Sequence, residues 1–209
     1  MSDMQKWRVE SSSYVVDNKW LHVRSERCID AHGNVFDPYF VLEYPDWMNC
    51  FVIDKEGAML MVRHYRHGAG EFIPELVSGI VEQNESPETG IVRELEEELG
   101  YTGGQIVPLG VSYPNPSYQS NKVFSFLAYD GYCTQAPQLQ AGETLEVINM
   151  PFSELYKLLH GSTILQSMHL ATIFLAIEFI KSSDRSELQE IREILTSNKL
   201  TKSLHKRAM

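Results

Sequence analysis

Between Gly79 and Tyr101 the chain carries Glu82, Glu85, Glu94, Glu97 and Glu98 together with a single Arg93. A helix steps about 100° per residue, so Glu94, Glu97 and Glu98 gather on one face of any helix built there. Glu94 and Glu98 stand four apart, where like charges repel. Carboxylates crowded in this way are reconciled by a cation, and hard oxygen donors favour Mg²⁺ or Mn²⁺ over softer metals. A solvated acidic face is the ordinary reading of three glutamates on a helix. That reading and a cation site stand as alternatives at this point.

The local signals build the helix that such a site needs. Ser86 is a good N-cap, Pro87 suits the first helical position, and Glu88 complements the positive end of the helix dipole. Gly100 is a left-handed stop. Ile91, Val92, Leu95 and Leu99 recur as one apolar stripe. Gly90 costs roughly 1 kcal/mol relative to alanine in mid-helix, so it predicts a close approach by a loop or strand.

With 209 residues, 43% hydrophobic and 22% charged, the chain is long enough for one sizeable core and an accessory element. A net charge of −10 argues against a phosphate-backbone binder of the nucleic-acid kind. A nucleotide substrate stays open, because a bound cation reverses the local field. Cys28, Cys50 and Cys133 are widely spaced, which predicts reduced thiols and a cytoplasmic location. The first residues lack the apolar run of a signal peptide. The most apolar stretch, 164–180, contains Gln166, His169 and Glu178 and reads as a buried helix rather than a membrane span.

Strands are expected at 7–16, 20–29 and 35–44, separated by turn-like segments, and they form a small antiparallel β-domain over 1–46. Three strands alone bury little, so this domain must lean on the rest or on a second subunit. A main domain over 47–182 opens with a hairpin of 49–53 and 58–64. Strands at 106–112, 122–129 and 143–148 follow, then helices at 151–160 and 164–181, the second apolar nearly all round. Residues 183–209 hold a helix at 184–195, with Asp184 as its cap and Glu187 completing a capping box, then a basic tail. Residues 113–121 form a loop with two prolines between core strands, a candidate for function.

The stretch from Gly79 to Tyr101 resembles the Nudix box, G-x5-E-x7-R-E-U-x-E-E-x-G-U, at every fixed position, with Leu95 and Tyr101 at the bulky apolar sites. Val62-Arg63-His64-Tyr65-Arg66 and Glu75-Leu76-Val77-Ser78-Gly79 are similar to the V-R-Q-Y-R and E-L-P-A-G patterns of the ADP-ribose pyrophosphatase branch. His64 replaces Gln, and Val77-Ser78 replaces Pro-Ala. The resemblance implies an α/β/α sandwich around a mixed sheet, the box as loop-helix-loop, and an N-terminal β-domain that often exchanges within a homodimer.

It also implies Mg²⁺-dependent hydrolysis of a nucleoside diphosphate linked to a group X, foremost ADP-ribose or a related sugar. On this reading Glu94 and Glu98 are the first metal ligands, followed by Glu97, the Ser78 carbonyl and Glu82. Arg93 and Glu85 orient them, and Gly79 and Gly100 shape the box. Arg63 and Arg66 are candidates for substrate phosphate, with Glu75 as an ion-pair partner, and Pro116 marks the substrate loop. Where that loop has its Glu in the branch, this chain has Asn121, which cannot act as a base at neutral pH. The general base is left among Glu97, Glu143 and Glu146. Trp20, Phe36, Tyr39 and Trp47 are candidates for stacking on the base. Two other readings remain: a different X or base (a GDP-sugar, dinucleotide or coenzyme), and a non-catalytic nucleotide sensor.

Overall fold

The computed structural model describes residues 5–19, 21–138, 144–161, 163 and 165–197. Trp20, Glu143 and the basic tail lie outside them. The chain divides at Asp46. One unit comprises the segment up to Asp46 together with Ser112–Lys122, and the other comprises Trp47–Val111 and the chain from Val123 on.

The first unit is a three-stranded antiparallel sheet in the order β1 (Arg8–Asp17), β2 (His22–Ile29), β3 (Val35–Glu43). Every residue of β1 is exposed. Trp7 stacks on Phe36 with ring centroids 4.4 Å apart and meets Tyr39 edge-on at 5.6 Å. Tyr39 stacks on Tyr118, and its hydroxyl donates to the Ser117 carbonyl.

The second unit is built on a seven-stranded mixed sheet. β10 (Leu145–Pro151), β5 (Ala58–Arg66), β4 (Trp47–Asp54), β9 (Val123–Cys133) and β8 (Tyr101–Ser112) lie side by side in that order. β4 runs parallel to β9 and antiparallel to β5. β4 shows how the layers arise, since its side chains alternate between faces. Met48, Cys50 and Val52 join Ile91, Leu95, Leu99 and Tyr101 in one core. Phe51 and Ile53 join Phe152, Leu155, Ile173, Ala176, Ile177 and Ile180 in another. The helices are α1 (Pro87–Leu99) on the first face, and α2 (Leu155–His160), α3 (Ser167–Ser182) and α4 (Gln189–Thr196) on the second. The result is an α/β/α sandwich.

Two short strands are absent from the sequence reading. β6 (Glu71–Glu75) pairs with β5, and β7 (Val77–Ile80) pairs with β4. β6 contains Pro74, which an edge strand tolerates because it has no ladder partner on one side. Other expectations need correction. Val92 is 49% exposed, since it points about 100° away from the buried seam of Ile91, Leu95 and Leu99. α3 is apolar nearly all round yet not buried all round, for Phe174 and Leu175 face outward. Asp184 caps no helix. A 3-10 turn at Ser186–Leu188 precedes α4, and extended backbone at Arg185 sets its start. β10 runs on to Pro151 and a 3-10 turn at Phe152–Glu154 follows, so α2 begins only at Leu155.

Candidate active site

α1 forms as its caps dictate. The Ser86 side chain accepts the Thr89 N–H at 3.1 Å, and Gly100 ends the helix in the left-handed region at φ 61°. Apolar burial at Ile91, Leu95 and Leu99 is worth about 1.5–3 kcal/mol each. The Glu94/Glu98 repulsion costs roughly 0.2–0.5 kcal/mol. Packing therefore wins easily, and the helix can hold its carboxylates in an unfavourable array. Gly90 serves the predicted close approach. A Cβ there would lie 2.5 Å from Met48 Cε and 2.7 Å from Glu85 Oε2.

Arg93 organises that array. Its Nε and Nη2 donate to Glu85 Oε1 and Oε2, both at 3.2 Å, and its Nη1 donates to Glu94 Oε1 at 2.8 Å and Glu97 Oε2 at 3.3 Å. Glu82 Oε1 is 4.0 Å from Nη2. Hydrogen bonding to Arg93 holds the Glu85 carboxyl below its ordinary range, and hydrogen bonding to Glu85 pushes the Arg93 guanidinium above its own. Glu85 also accepts the Glu82 N–H at 3.2 Å, tying the loop to the helix.

These groups wall a cleft of about 460 Å³ lined by Trp47, His64, Arg66, Ser78, Gly79, Ile80, Glu82, Arg93, Glu94, Glu98, Gln166 and Met168. Glu98 is only 6% exposed. Gly79 has no side chain for a reason, because a Cβ there would overlap the Glu94 carboxylate. Opposite charge is present too. Arg66 is held by the buried Glu75 through two parallel bonds, Nε to Oε1 at 2.8 Å and Nη2 to Oε2. Among the described residues no group of three His, Cys, Asp or Glu side chains converges on one point. Two carboxylates beside a backbone wall are nevertheless a fitting set for Mg²⁺, which is bound through one or two carboxylates with water and substrate phosphate completing its shell.

Residues 44–168, more than half of the chain, match the NUDIX domain. The chain belongs to the Nudix family. Residues 7–42 match the nucleoside diphosphate sugar hydrolase N-terminal domain. The ADP-ribose pyrophosphatase of Bacillus subtilis (strain 168) is 25% identical over 151 residues, 72% of this chain and 80% of that protein. The ADP-sugar pyrophosphatase of Mus musculus is 31% identical over 102 residues, 46% of this chain and 47% of that one. The crystal structure of an ADP compounds hydrolase shares the fold, with a TM-score of 0.77 at 20% identity, covering 88% of this chain and 100% of the other. With its box complete, the protein is a Nudix hydrolase of the pyrophosphatase class.

Other sequence candidates fall elsewhere in this Nudix chain. Arg63 and Glu146 are not brought to the cleft. They face each other across β5 and β10 with 3.8 Å between Arg63 Nη1 and Glu146 Oε2, and with Phe72 they line a second cavity. Side-chain alternation along β5 explains the separation: Arg63 and Tyr65 take one face, His64 and Arg66 the other. Glu97 is held by Arg93 beside the cleft without lining it. Tyr39, Phe36 and Pro116 belong to the first unit, and Asn121 there is buried. Trp47 opens β4 of the main sheet and lines the cleft. Gln166 and Met168 line it as well, and no local pattern in the sequence marks either as a site residue.

Gly79→Ala separates site from scaffold. The obstacle to a methyl group is the far end of one flexible side chain, so Glu94 is expected to swing aside at a cost in stability below about 1 kcal/mol. Turnover is expected to fall at least about tenfold through the displaced carboxylate. Thermal melts and steady-state rates on the same preparation check this, and equal losses in both would count against it.

His169 in α3 is 1% exposed, and its Nδ1 accepts the Leu76 N–H at 3.3 Å, so the neutral ring carries its proton on Nε2. Burial pulls its pKa down to about 4, with the Glu75 carboxylate pulling it back up and Arg66 lowering it further. The folded state thus binds fewer protons than the unfolded chain, whose histidine titrates near 6.5. This contribution is fully present above pH 6.5 and is lost as pH falls towards 4, by at most about 3 kcal/mol. Urea unfolding at pH 7.5 and 4.5 is expected to show a smaller pH dependence for His169→Asn than for wild type. Identical slopes would refute the assignment.

Proposed function

We propose that this enzyme hydrolyses the diphosphate bond of a nucleoside diphosphate linked to a sugar, foremost ADP-ribose, in the presence of Mg²⁺. Mn²⁺ is the natural substitute. The observation that carries the reading is the meeting of Glu94, Glu98, Ser78 and Gly79 with Arg66 in one cleft. Names of relatives, among them an ADP-ribose pyrophosphatase and an ADP-sugar pyrophosphatase, favour an ADP-linked substrate.

Glu94, Glu98 and the Ser78 backbone would hold the metal, with Glu82 at the rim. A divalent ion held there would supply charge neutralisation of the diphosphate and a lower pKa for the attacking water. Arg66, fixed by the Glu75 fork, binds a phosphate oxygen and orients the diphosphate. Arg93 keeps Glu94 and Glu97 in place while Glu85 holds Arg93. Water adds across the P–O–P bridge. Its oxygen joins one phosphorus, the bridging oxygen leaves with the other, and the products are a nucleoside monophosphate and a phosphosugar. One water proton goes to a carboxylate, and the other stays on the oxygen now bonded to phosphorus until it is lost to solvent. We assign the carboxylate's role to Glu97, which Arg93 holds beside the cleft, over Glu146, which lies in the second cavity; Glu143, the third candidate, is outside the described residues.

The test is phosphatase-coupled phosphate release from ADP-ribose, ADP-glucose, GDP-mannose, UDP-glucose, NADH and diadenosine polyphosphates, with Glu97→Gln and Glu146→Gln alongside. ADP-ribose should lead, and Glu97→Gln should lose more activity than Glu146→Gln. A GDP-sugar, dinucleotide or coenzyme in the lead would favour the second reading, to which His64 and Asn121 point as departures from the ADP-ribose branch. Silence across the panel would favour a nucleotide sensor. The complete set of box carboxylates speaks against that last reading.

We further propose a homodimer through the first unit. Its sheet leaves Val9, Tyr14, Val15, Val35, Phe36 and Phe40 exposed, more apolar surface than a lone three-stranded sheet supports. Sedimentation at micromolar concentration should give twice the chain mass; a monomer would overturn it. All three cysteines are free, as in a cytoplasmic protein, and no helix of the described residues is long and apolar enough to cross a membrane.

A further inference from the structure

The chain changes partners at one residue. β6 runs against β5 up to Glu75, and β7 runs against β4 from Val77. Leu76 sits in the step between them, fully buried, and its N–H goes to the His169 ring. A buried amide needs an acceptor, and here the acceptor comes from a helix on the far side of the sheet from α1.

The residues on either side of that step both serve the cleft. Glu75, one position before, holds Arg66 by its fork. Ser78 and Gly79, two and three positions after, form the wall against which Glu94 lies. His169 itself is anchored to the middle of the sheet. Thr172, three residues on, donates to Asn49 Oδ1 on β4 and lies 2.6 Å from Ser125 Oγ on β9. At the other end of the same turn, Gln166 accepts the His169 N–H through its carbonyl and lines the cleft.

We infer that His169 is a positioning residue for the hydrolytic site: by accepting the Leu76 N–H it fixes the strand step that sets Arg66, through Glu75, against the Ser78–Gly79 wall. The phosphate-binding and carboxylate halves of the cleft are thereby referenced to one rigid point. Without the acceptor, the Leu76 amide must seek another partner, and the two halves shift relative to each other. The inference rests on the hydrolase reading proposed above for its kinetic consequence alone.

The experiment compares three substitutions at one position. Asn places an oxygen where Nδ1 stands, Gln carries its acceptor too far out to meet Leu76, and Leu has none. Two readouts are taken on each: hydrogen exchange of the peptide spanning 75–79, and kcat and KM on the best substrate of the panel. His169→Asn should stay within about threefold of wild type in both. His169→Gln and His169→Leu should exchange at least about tenfold faster over 75–79 and lose about 10–100-fold in kcat per folded molecule. If the Leu variant does not fold, the Asn and Gln pair still decides the matter. Equal behaviour of Asn and Gln, or faster exchange with unchanged kcat, would overturn the inference, because a purely structural histidine lowers stability without touching turnover. If wild type hydrolyses nothing on the panel, the hydrolase reading fails by itself. Mn²⁺ affinity by electron paramagnetic resonance then replaces kcat, with the same ranking expected and a flat ranking fatal.

Discussion

Glu98→Gln is expected to lower kcat by about 10²–10³-fold while leaving the fold intact. Gln matches Glu in shape, and the site it occupies is nearly closed to water, so the substitution changes charge with little change of packing. A buried carboxylate is costly to keep, and its neutral counterpart should be at least as stable in metal-free buffer. What disappears is the anionic donor. A single ligand-type interaction worth roughly 3–4 kcal/mol in the transition state corresponds to the stated loss. The same change should show in binding: Mg²⁺ or Mn²⁺ at millimolar concentration should raise the melting temperature of wild type more than that of the variant, since a ligand that binds only the folded state stabilises it by mass action. Equal metal-induced shifts with normal turnover would remove Glu98 from the metal set.

Arg93→Leu is the second large effect, and it differs in kind. Arg93 bonds to Glu85, Glu94 and Glu97 at once, with only 24% of its side chain exposed. Removing it takes a shared guanidinium away from three neighbouring carboxylates. The expected cost is about 2–4 kcal/mol in stability, because each partner loses a charge-assisted bond in a partly dry site. Glu94 also loses the bond that aims it, and kcat is expected to fall about 10–100-fold. Arg93→Lys should recover part of the stability but little of the rate. A single ammonium cannot reproduce the fork on Glu85 while reaching Glu94. Rates and urea midpoints for the two variants check both halves. A Lys variant with wild-type kcat would show that charge alone, and not the fork, is what Arg93 provides.

The parts of this protein that sequence made legible are those whose signals are local. Ser86, Pro87 and Gly100 mark the ends of α1 within a few residues of one another, and helical periodicity alone puts Glu94 and Glu98 on one face. For Arg63 and Arg66 the sequence leaves open which one contacts phosphate or pairs with Glu75; the pairing of β5 with β6 brings Arg66 to Glu75. What escaped is set by register and packing. β6 and β7 are too short, and in β6 too broken by Pro74, to show a period-2 pattern. Trp47 stood close enough to the boundary to be grouped with the N-terminal aromatics, yet it begins the central strand. Glu146 is a candidate base by its sequence, but pairing of β10 with β5 sets it opposite Arg63, away from the cleft. Gln166 and His169 sit in an apolar stretch that reads only as a buried helix, and their roles depend on strands nearly a hundred positions earlier.

The most direct measurement is a phosphorus NMR time course of ADP-ribose with the wild-type protein and Mg²⁺, repeated with excess chelator and with Glu98→Gln. The diphosphate signals should give way to two monoester signals of equal intensity, those of AMP and ribose 5-phosphate, at a rate that collapses with chelator and with the variant. Persistence of the diphosphate, or a rate indifferent to both chelator and Glu98, would contradict the assignment of this cleft as a metal-dependent pyrophosphatase site for ADP-ribose.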